Sequence, residues 1–442
     1  MRRQMTLNLS EDRKVEVRVL IVAEHASFKF GGEAALPIHY YRILRQRNVP
    51  TWLVVHERTR AELEALFPQD QDRIFYVADT AWHRFLWRIS KRFPQQLGRF
   101  TIEFVMRLMT QSAQRAMIRR LIPAHQIDVI HQPIPVSPKE PSMIFGMGVP
   151  VIIGPMNGGM VYPPAFRKLQ SRAERISLYV LRRLASIMNF LIPGKRRATI
   201  LLVANERTRA ALPDGLCKHV AMIVENGVDL SLWKGSRSSG NGASLRPVQF
   251  VFLGRLVDWK AVDLLLLAFK RAAIQAPMSL SIIGDGIERD ALEQMARQLE
   301  LMGHGDNQPG QVTFCGWMSQ AECAVRLREC DALVLPSLME CGGAVVLEAM
   351  AMEIPVIATA WGGPADYLDP TCGILVEPSS REAFIANLAL ALVRLAKHPE
   401  ERIAMGKAGR SKIIEQFDWN AKVECVYAVY RDVVENPGPS AK

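Results

Sequence analysis

Short apolar runs alternate with longer stretches of helical spacing along the 442 residues of this chain. Runs rich in β-branched residues predict buried strands, and in the first half they are VRVLIVA (17–23), TWLVVH (51–56), RIFYV (73–77), DVIHQP (128–133), VPVIIGP (149–155) and TILLVAN (199–205). The stretch EAALPIHYYRILRQRN (33–48) predicts a helix, although Pro37 should stand in its first turn or kink it. Strands that alternate with helices are typical of a parallel, doubly wound sheet.

The alternation stops in SLWKGSRSSGNGASLRP (231–247), which is rich in Ser and Gly and predicts a linker. It then restarts, with strands predicted in VQFVFLGR, LSIIGDG, QVTFCG, DALVLPS, PVIATA and GILVEP. A chain of this length is too long for one compact core. We therefore expect an α/β architecture of two Rossmann-like domains, residues 1–225 and 226–410, with a C-terminal helical segment (411–442) that packs back on the first domain.

Charge adds a second asymmetry between the two halves. Residues 1–200 hold 31 Lys and Arg against 15 Asp and Glu, whereas the remainder holds 24 against 29. Segments 82–125 and 166–197 each carry nine cations and one acid, with apolar residues at helical spacing. Either these are ordinary solvated helix faces, or they form a basic, aromatic-flanked face that rests on anionic lipid. Nucleic acid is not expected as a partner, because no recognisable nucleic-acid motif accompanies the charge.

The cysteines and the apolar runs bear on location. Seven cysteines without a C-x-x-C pair predict free thiols in a reducing compartment. The most apolar candidate for a membrane span, residues 176–192, is broken by Arg182 and Arg183, and the N-terminal segment does not resemble a signal peptide. We therefore expect a cytoplasmic protein, with peripheral attachment to the inner face of the cell membrane as a hypothesis.

Unusual polar residues follow several strands of the second half. Ligands of open parallel sheets bind at the carboxyl ends of strands. Arg255 and Lys260 follow the strand VQFVFLG, and two cations there suit a diphosphate. The stretch CGGAVVLEAMA (341–351) predicts a helix with Gly342 and Gly343 in its first turn, where free N–H groups and the helix dipole attract phosphate.

Two acids flank this glycine pair. Glu340 precedes the predicted helix and Glu348 lies within it. Because an unpaired carboxylate is costly to bury, each is either solvated or faces hydroxyl donors such as those of a sugar. The motif IIGDG has only G-x-G and is weak support for a dinucleotide. The D-x-D formed by Asp70 and Asp72 lies in a polar turn. We expect neither a cofactor nor a metal.

Four motifs together resemble the retaining glycosyltransferases of family 4, which have the GT-B fold. They are GRLVDWKAVDLL, IIGDG, ECGGAVVLEAMAMEIPVIAT and VENGVDLSLW. FGGEAALPIHYYRILRQRN is similar to the glycine loop and first helix of that family, and DVIHQP to the strand end that carries its donor-sugar histidine. The resemblance implies that Glu348 holds the nucleotide ribose, that Glu340 holds the transferred sugar, and that His131 contacts that sugar. Glu340, His131, Arg255 and Lys260 are then the expected catalytic residues.

The resemblance also implies a donor site and an acceptor side. The expected donor-binding residues are Gly31, Gly32, Arg255, Lys260, Glu340, Cys341, Gly342, Gly343, Ala344, Val345 and Glu348. GPMNGGMVYPP (154–164) resembles only a subset of the family. We assign its Asn157, Gly158 and Gly159 to the acceptor side, with a purely structural turn as the alternative. The chain departs from the family at Ala261, where glycine is usual, and at Cys341 in E-C-G-G.

The expected activity is transfer of a sugar, with retention of configuration, from a UDP- or GDP-linked donor to a hydroxyl of a glycan or lipid-linked acceptor. Synthesis of surface polysaccharide or glycolipid is the expected context. A sugar-nucleotide epimerase or a phosphorylase on the same fold would use a similar diphosphate site, although no context for a pyridoxal-phosphate lysine stands out. A non-enzymatic, basic membrane-surface protein is the remaining alternative.

Overall fold

The computed structural model describes residues 16–30, 32–90, 102–169, 172–213, 215–234, 246–303 and 310–436. Most of the predicted linker therefore lies outside the described residues. Within these ranges, no helix combines the length and the apolar character that crossing a membrane requires.

The first domain is built on a parallel sheet. Its strands are β1 (Val19–Val22), β2 (Thr51–His56), β3 (Ile74–Val77), β4 (Val129–Gln132), β5 (Val151–Met156), β6 (Ile200–Val203) and β7 (Val220–Met222). In the described chain these seven strands pair in the order β3-β2-β1-β4-β5-β6-β7, and every pair is parallel. The central strands are buried along their whole length, as expected for a sheet covered by helices on both faces. The short edge strand β7 was not predicted from the sequence.

Helices connect these strands. They are α1 (Gly32–Gln46), α2 (Arg60–Leu66), α3 (Ala81–Ser90), α4 (Phe104–His125), α5 (Arg172–Leu191) and α6 (Glu206–Ala211), with short 3-10 turns at Glu57–Thr59, Pro164–Leu169 and Lys195–Arg197. Pro37 lies inside α1, at its sixth position, and is buried.

The second domain repeats the design. Its strands are β8 (Val248–Leu253), β9 (Met278–Ile283), β10 (Gln311–Gly316), β11 (Ala332–Leu335), β12 (Val356–Thr359) and β13 (Gly373–Val376). Among the described residues they form a six-stranded parallel sheet in the order β10-β9-β8-β11-β12-β13. Its helices are α7 (Val262–Ala273), α8 (Arg289–Gln298), α9 (Gln320–Leu327), α10 (Ala344–Ala351), α11 (Gly363–Tyr367), α12 (Arg381–Lys397) and α13 (Pro399–Lys412). The expectation of two Rossmann-like parallel sheets is confirmed.

The C-terminal helix α14 (Trp419–Glu435) returns to the first domain. A π-helical turn, Ile413–Phe417, connects it to α13. Its buried apolar residues join the cluster that covers one face of the first sheet, and Trp419 stacks on His39 of α1 with ring centroids 4.4 Å apart. One helix thus ties the end of the chain to its first strands.

Candidate functional site

The loops that follow β8 and β11 meet because these two strands are neighbours in the second sheet. Lys260 ends a 3-10 turn, Asp258–Lys260, after β8. Its ammonium nitrogen hydrogen-bonds a carboxylate oxygen of Glu340, and the two side chains are 14% and 15% exposed. The tertiary structure therefore brings together two residues that are 80 positions apart in the chain.

The turn after Lys260 retains the backbone shape that a glycine would adopt. Ala261 has a φ of 52°, in the left-handed region, and directly precedes α7. An L-residue in this conformation costs roughly 1–2 kcal/mol. Alanine in place of the family's glycine therefore adds strain to the loop but does not change the path of its backbone. Arg255, in the same loop, is exposed, and its guanidinium has no hydrogen bond or ion pair to the described residues. It is therefore able to turn toward a ligand.

The glycine pair stands just before a helix rather than inside it. Helix α10 begins at Ala344, and Gly343 caps it with a φ of 78°. The prediction that both glycines lie in the first turn is wrong, because the left-handed conformation of Gly343 is not helical and the helix begins one residue later. In the described structure, the backbone N–H groups of residues 341–345 find no acceptor. The result is a row of free N–H groups at a helix start, beside the Lys260–Glu340 pair.

Glu348 occupies the second turn of α10. Its side chain is half-buried, and no group of the described chain hydrogen-bonds it. Burial raises the pKa of this carboxyl to about 7. The Glu348 charge also helps to raise the pKa of Cys323 in α9, to about 11, although burial of that thiol has the larger effect. A desolvated carboxylate without a partner suits a ligand that brings hydroxyl donors.

Side chains of the first domain reach across to the β11–α10 loop. The amide nitrogen of Asn157, at the end of β5, donates to the Cys341 carbonyl oxygen at 2.9 Å and to Glu225 Oε1 at 2.5 Å. Arg207 on α6 donates to the same carbonyl at 3.3 Å and to Asp366 at 3.1 Å. The two domains are therefore bonded to each other directly at the candidate phosphate site.

Comparison with known proteins assigns the second half of the chain. Its residues match the family described as glycosyl transferases group 1 over positions 238–412. Residues 238–412 are a glycosyltransferase group 1 domain. This segment contains Arg255, Lys260, Glu340 and Glu348, so the glycosyltransferase match and the candidate site coincide.

Relatives and solved structures extend the comparison. The chain is 31% identical over 219 residues to a D-inositol 3-phosphate glycosyltransferase of Segniliparus rotundus. The aligned region covers 47% of this chain and 46% of that protein. The chain spans about half the length of the curated relatives that it matches. Its structure is similar to sucrose-phosphate synthase from Thermosynechococcus elongatus (TM-score 0.63, 18% identity, 95% of this chain and 99% of that one). It is also similar to the Anabaena protein HepE solved with UDP (TM-score 0.59, 15% identity, 94% and 100%). The fold is therefore GT-B.

His131 lies near the end of β4, where the glycosyltransferase resemblance places it, but its side chain is not open to a ligand. It is fully buried in β4, where its Nε2 contacts the Gly154 carbonyl at 2.6 Å and its Nδ1 contacts the Tyr430 hydroxyl at 2.6 Å. Burial lowers the pKa of this imidazole to about 4. Because both ring nitrogens are occupied and α14 covers the ring, we correct the expectation that His131 contacts the donor sugar: it is a core residue.

The structure places the other predicted residues as follows. Gly31 lies outside the described residues, while Gly32 begins α1 and is exposed. Asn157 is only 5% exposed and is occupied by the interdomain bonds, so its amide is not open to an acceptor. Gly158 is buried against Pro138, whereas Gly159 is exposed and has a φ of 74°. In the D-x-D motif, Asp70 is bonded to Arg45 and Tyr41 within the first domain.

The sequence did not point to Glu225 and Lys422. Lys422 on α14 donates to the carbonyl oxygens of Val224 and Asn226, and burial lowers its pKa, against the influence of the nearby Glu225 carboxylate. Burial raises the pKa of Glu225. Only the position of Glu225 in the motif VENGVD could have drawn attention to it, because its partners come from distant parts of the chain.

Proposed function

We propose that this protein is a retaining glycosyltransferase. It transfers a sugar from a UDP- or GDP-linked donor to a hydroxyl of a glycan or lipid-linked acceptor. The main support is the placement of the Lys260 ammonium against Glu340, next to the free N–H groups that precede α10. HepE, which has the same fold, has been solved with UDP, and this supports a uridine donor as the first to test.

The chemistry follows from the charges of the site. The bond between the anomeric carbon and the phosphate oxygen breaks, and negative charge develops on the diphosphate. Lys260, Arg255 and the N–H groups stabilise that charge. The acceptor hydroxyl attacks from the same face, and the departing phosphate oxygen takes its proton, so the anomeric configuration is retained. In this scheme Glu340 holds sugar hydroxyls, Glu348 holds the ribose diol, and neither a metal nor a cofactor is required.

A thermal-shift screen tests the donor assignment. We expect UDP-glucose, UDP-N-acetylglucosamine or GDP-mannose to raise Tm, because a ligand at 100 times its Kd stabilises the folded state by about 2.7 kcal/mol. The Lys260→Ala variant should show a smaller shift with the same donor. If none of a full set of UDP- and GDP-sugars raises Tm, the proposed function is wrong.

We further propose that the first domain rests on an anionic membrane surface. On α3, Trp82, Phe85 and Trp87 are more than half exposed, and on α5 so are Phe190 and Leu191. Both helices adjoin the start of α4: His83 of α3 contacts Thr110, and Asn189 of α5 bonds the loop whose Glu140 pairs with Arg107. Exposed aromatic and aliphatic side chains among arginines are typical of an interfacial surface. Such a surface would suit the lipid-linked alternative among the proposed acceptors.

Vesicle sedimentation tests this surface. We expect the protein to bind vesicles that contain phosphatidylglycerol, and the binding to weaken steeply from 0.1 M to 1 M salt, since the Debye length shortens from about 10 Å to about 3 Å. The double variant Trp82→Ala/Phe85→Ala should lose most of the binding. Trp317→Ala, which removes an exposed aromatic from the second domain, is the control. If binding is absent or insensitive to salt, the membrane proposal is wrong and these helices present ordinary solvated faces.

A further inference from the structure

The Cys341 carbonyl is held from the opposite domain. Its oxygen accepts hydrogen bonds from Asn157 Nδ2 at 2.9 Å and from an Arg207 guanidinium nitrogen at 3.3 Å. The preceding carbonyl, that of Glu340, is held within its own domain by the Gly363 N–H at 2.8 Å. Two successive carbonyl groups of the β11–α10 loop thus accept hydrogen bonds from groups outside the row of free N–H groups.

This bonding determines the direction of the next N–H group. In the described chain, the peptide bonds that are cis both precede proline, so the bond between Cys341 and Gly342 is trans. In a planar trans peptide the N–H points opposite to the C=O. The Gly342 N–H therefore points away from Asn157 and Arg207, and it is one of the N–H groups without an acceptor in the described residues.

The same peptide is clamped from both sides. A Cβ on Gly342 would lie 2.2 Å from Asn226 Nδ2 and 2.4 Å from Glu225 Oε1. A Cβ on Gly363 would lie 2.5 Å from the Cys341 carbonyl oxygen, which belongs to this peptide. Asn157 also bonds Glu225 Oε1, the atom that packs on Gly342. The Asn157 side chain thus bonds the Cys341 carbonyl of this peptide and also the Glu225 carboxylate that packs on Gly342.

We propose that Asn157, assisted by Arg207, is a positioning residue that turns the Gly342 N–H toward the diphosphate of the donor. The proposal rests on the proposed function, because it needs a diphosphate at the start of α10. Without the Asn157 bond the Cys341 carbonyl is held from the first domain only by the longer Arg207 bond of 3.3 Å. The peptide can then rotate and present this carbonyl oxygen to the phosphate, which is repulsive. The phosphate site of the second domain is consequently complete only while the first domain is docked against it.

The affinities of UDP and UMP, measured by calorimetry, separate this role from general loosening. If the screen selects a guanosine donor, GDP and GMP replace them. Asn157→Ala should weaken UDP about tenfold, the factor for the loss of one well-placed hydrogen bond, and should leave UMP within about twofold because UMP has no β-phosphate. The ³¹P shift of the β-phosphate of bound UDP should move in the variant.

Two further variants complete the test. Trp361→Phe removes a different interdomain hydrogen bond, from Trp361 Nε1 to the Val161 carbonyl at 2.8 Å, and should leave the UDP-to-UMP affinity ratio unchanged. Arg207→Ala removes the second donor to the Cys341 carbonyl and should lower the ratio about threefold. It serves as the test on its own if Asn157→Ala does not fold.

The outcomes distinguish failure of the positioning role of Asn157 from failure of the proposed glycosyltransferase function. A wild-type protein that does not prefer UDP over UMP overturns the positioning role together with the proposed function. If the wild type prefers UDP and both variants retain that preference, the positioning role alone is wrong. If Trp361→Phe lowers the ratio as much as Asn157→Ala does, the effect is loss of domain contact and the assignment to Asn157 fails.

Discussion

Replacing Lys260 with alanine is expected to lower kcat by roughly 10²–10³-fold, the usual cost of removing one group that stabilises a developing anion. Affinity for UDP should fall as well, by roughly 1.5–3 kcal/mol for a lost charge-assisted contact. The variant also leaves the Glu340 carboxylate, which is 15% exposed, without its partner. Single-turnover kinetics and calorimetry measure the two effects separately.

A lysine of the same domain provides the control. Lys270 lies in the last turn of α7, at the opposite end of that helix from Lys260, and forms a surface ion pair with Glu300 at 3.5 Å. Exposed pairs of this kind contribute roughly 0–1 kcal/mol, so Lys270→Ala should leave kcat and UDP affinity close to wild type. Equal losses in both variants, or no loss in Lys260→Ala, would contradict the assignment of Lys260 to the diphosphate.

Glu348→Gln is expected to stabilise the fold at neutral pH while it weakens nucleotide binding. Burial raises the pKa of Glu348 from an ordinary value of 4.5 to about 7. The folded protein therefore binds this proton more tightly than the unfolded chain does, and the contribution of Glu348 to the free energy of unfolding falls as pH rises from 4.5 to 7. Glutamine does not titrate, so the variant should be more stable than wild type by roughly 1–3 kcal/mol at pH 8, and no more stable below pH 4.5.

The binding effect has the opposite sign. Loss of the carboxylate that accepts the ribose hydroxyls should cost roughly 1–3 kcal/mol of UDP affinity. Urea unfolding at pH 4 and pH 8, together with calorimetry at pH 8, measures both effects. Glu382→Gln is the control, because that exposed carboxylate pairs with Arg271 and its pKa is lowered. If the Glu348→Gln variant binds UDP as tightly as wild type does, the assignment of Glu348 to the ribose hydroxyls is wrong.

Much of the fold and part of the site could be predicted from local pattern alone. Buried parallel strands are continuous apolar runs, so twelve of the strand positions could be read from the sequence, and the weakly apolar Val220–Met222 could not. The carboxyl ends of parallel strands lie at one edge of the sheet, so the loops that carry Lys260 and Glu340 were expected near each other, although their direct bond was not predicted. These predictions depend on periodicity and on the topology of parallel sheets, and both are properties of short segments.

The remaining residues were decided by packing between distant segments. His131 lies at a strand position that the family resemblance assigned to the donor sugar. Its Nδ1, however, is hydrogen-bonded to the hydroxyl of Tyr430, 299 residues away. Asn157 was assigned to an acceptor, whereas the docking of the two domains bonds it to Cys341, 184 residues away. The sequence by itself determined the two sheets and the charged strand ends, because these follow from local periodicity. Only the tertiary structure decided which polar groups are occupied and which are free, because that depends on how α14 and the two domains pack against one another.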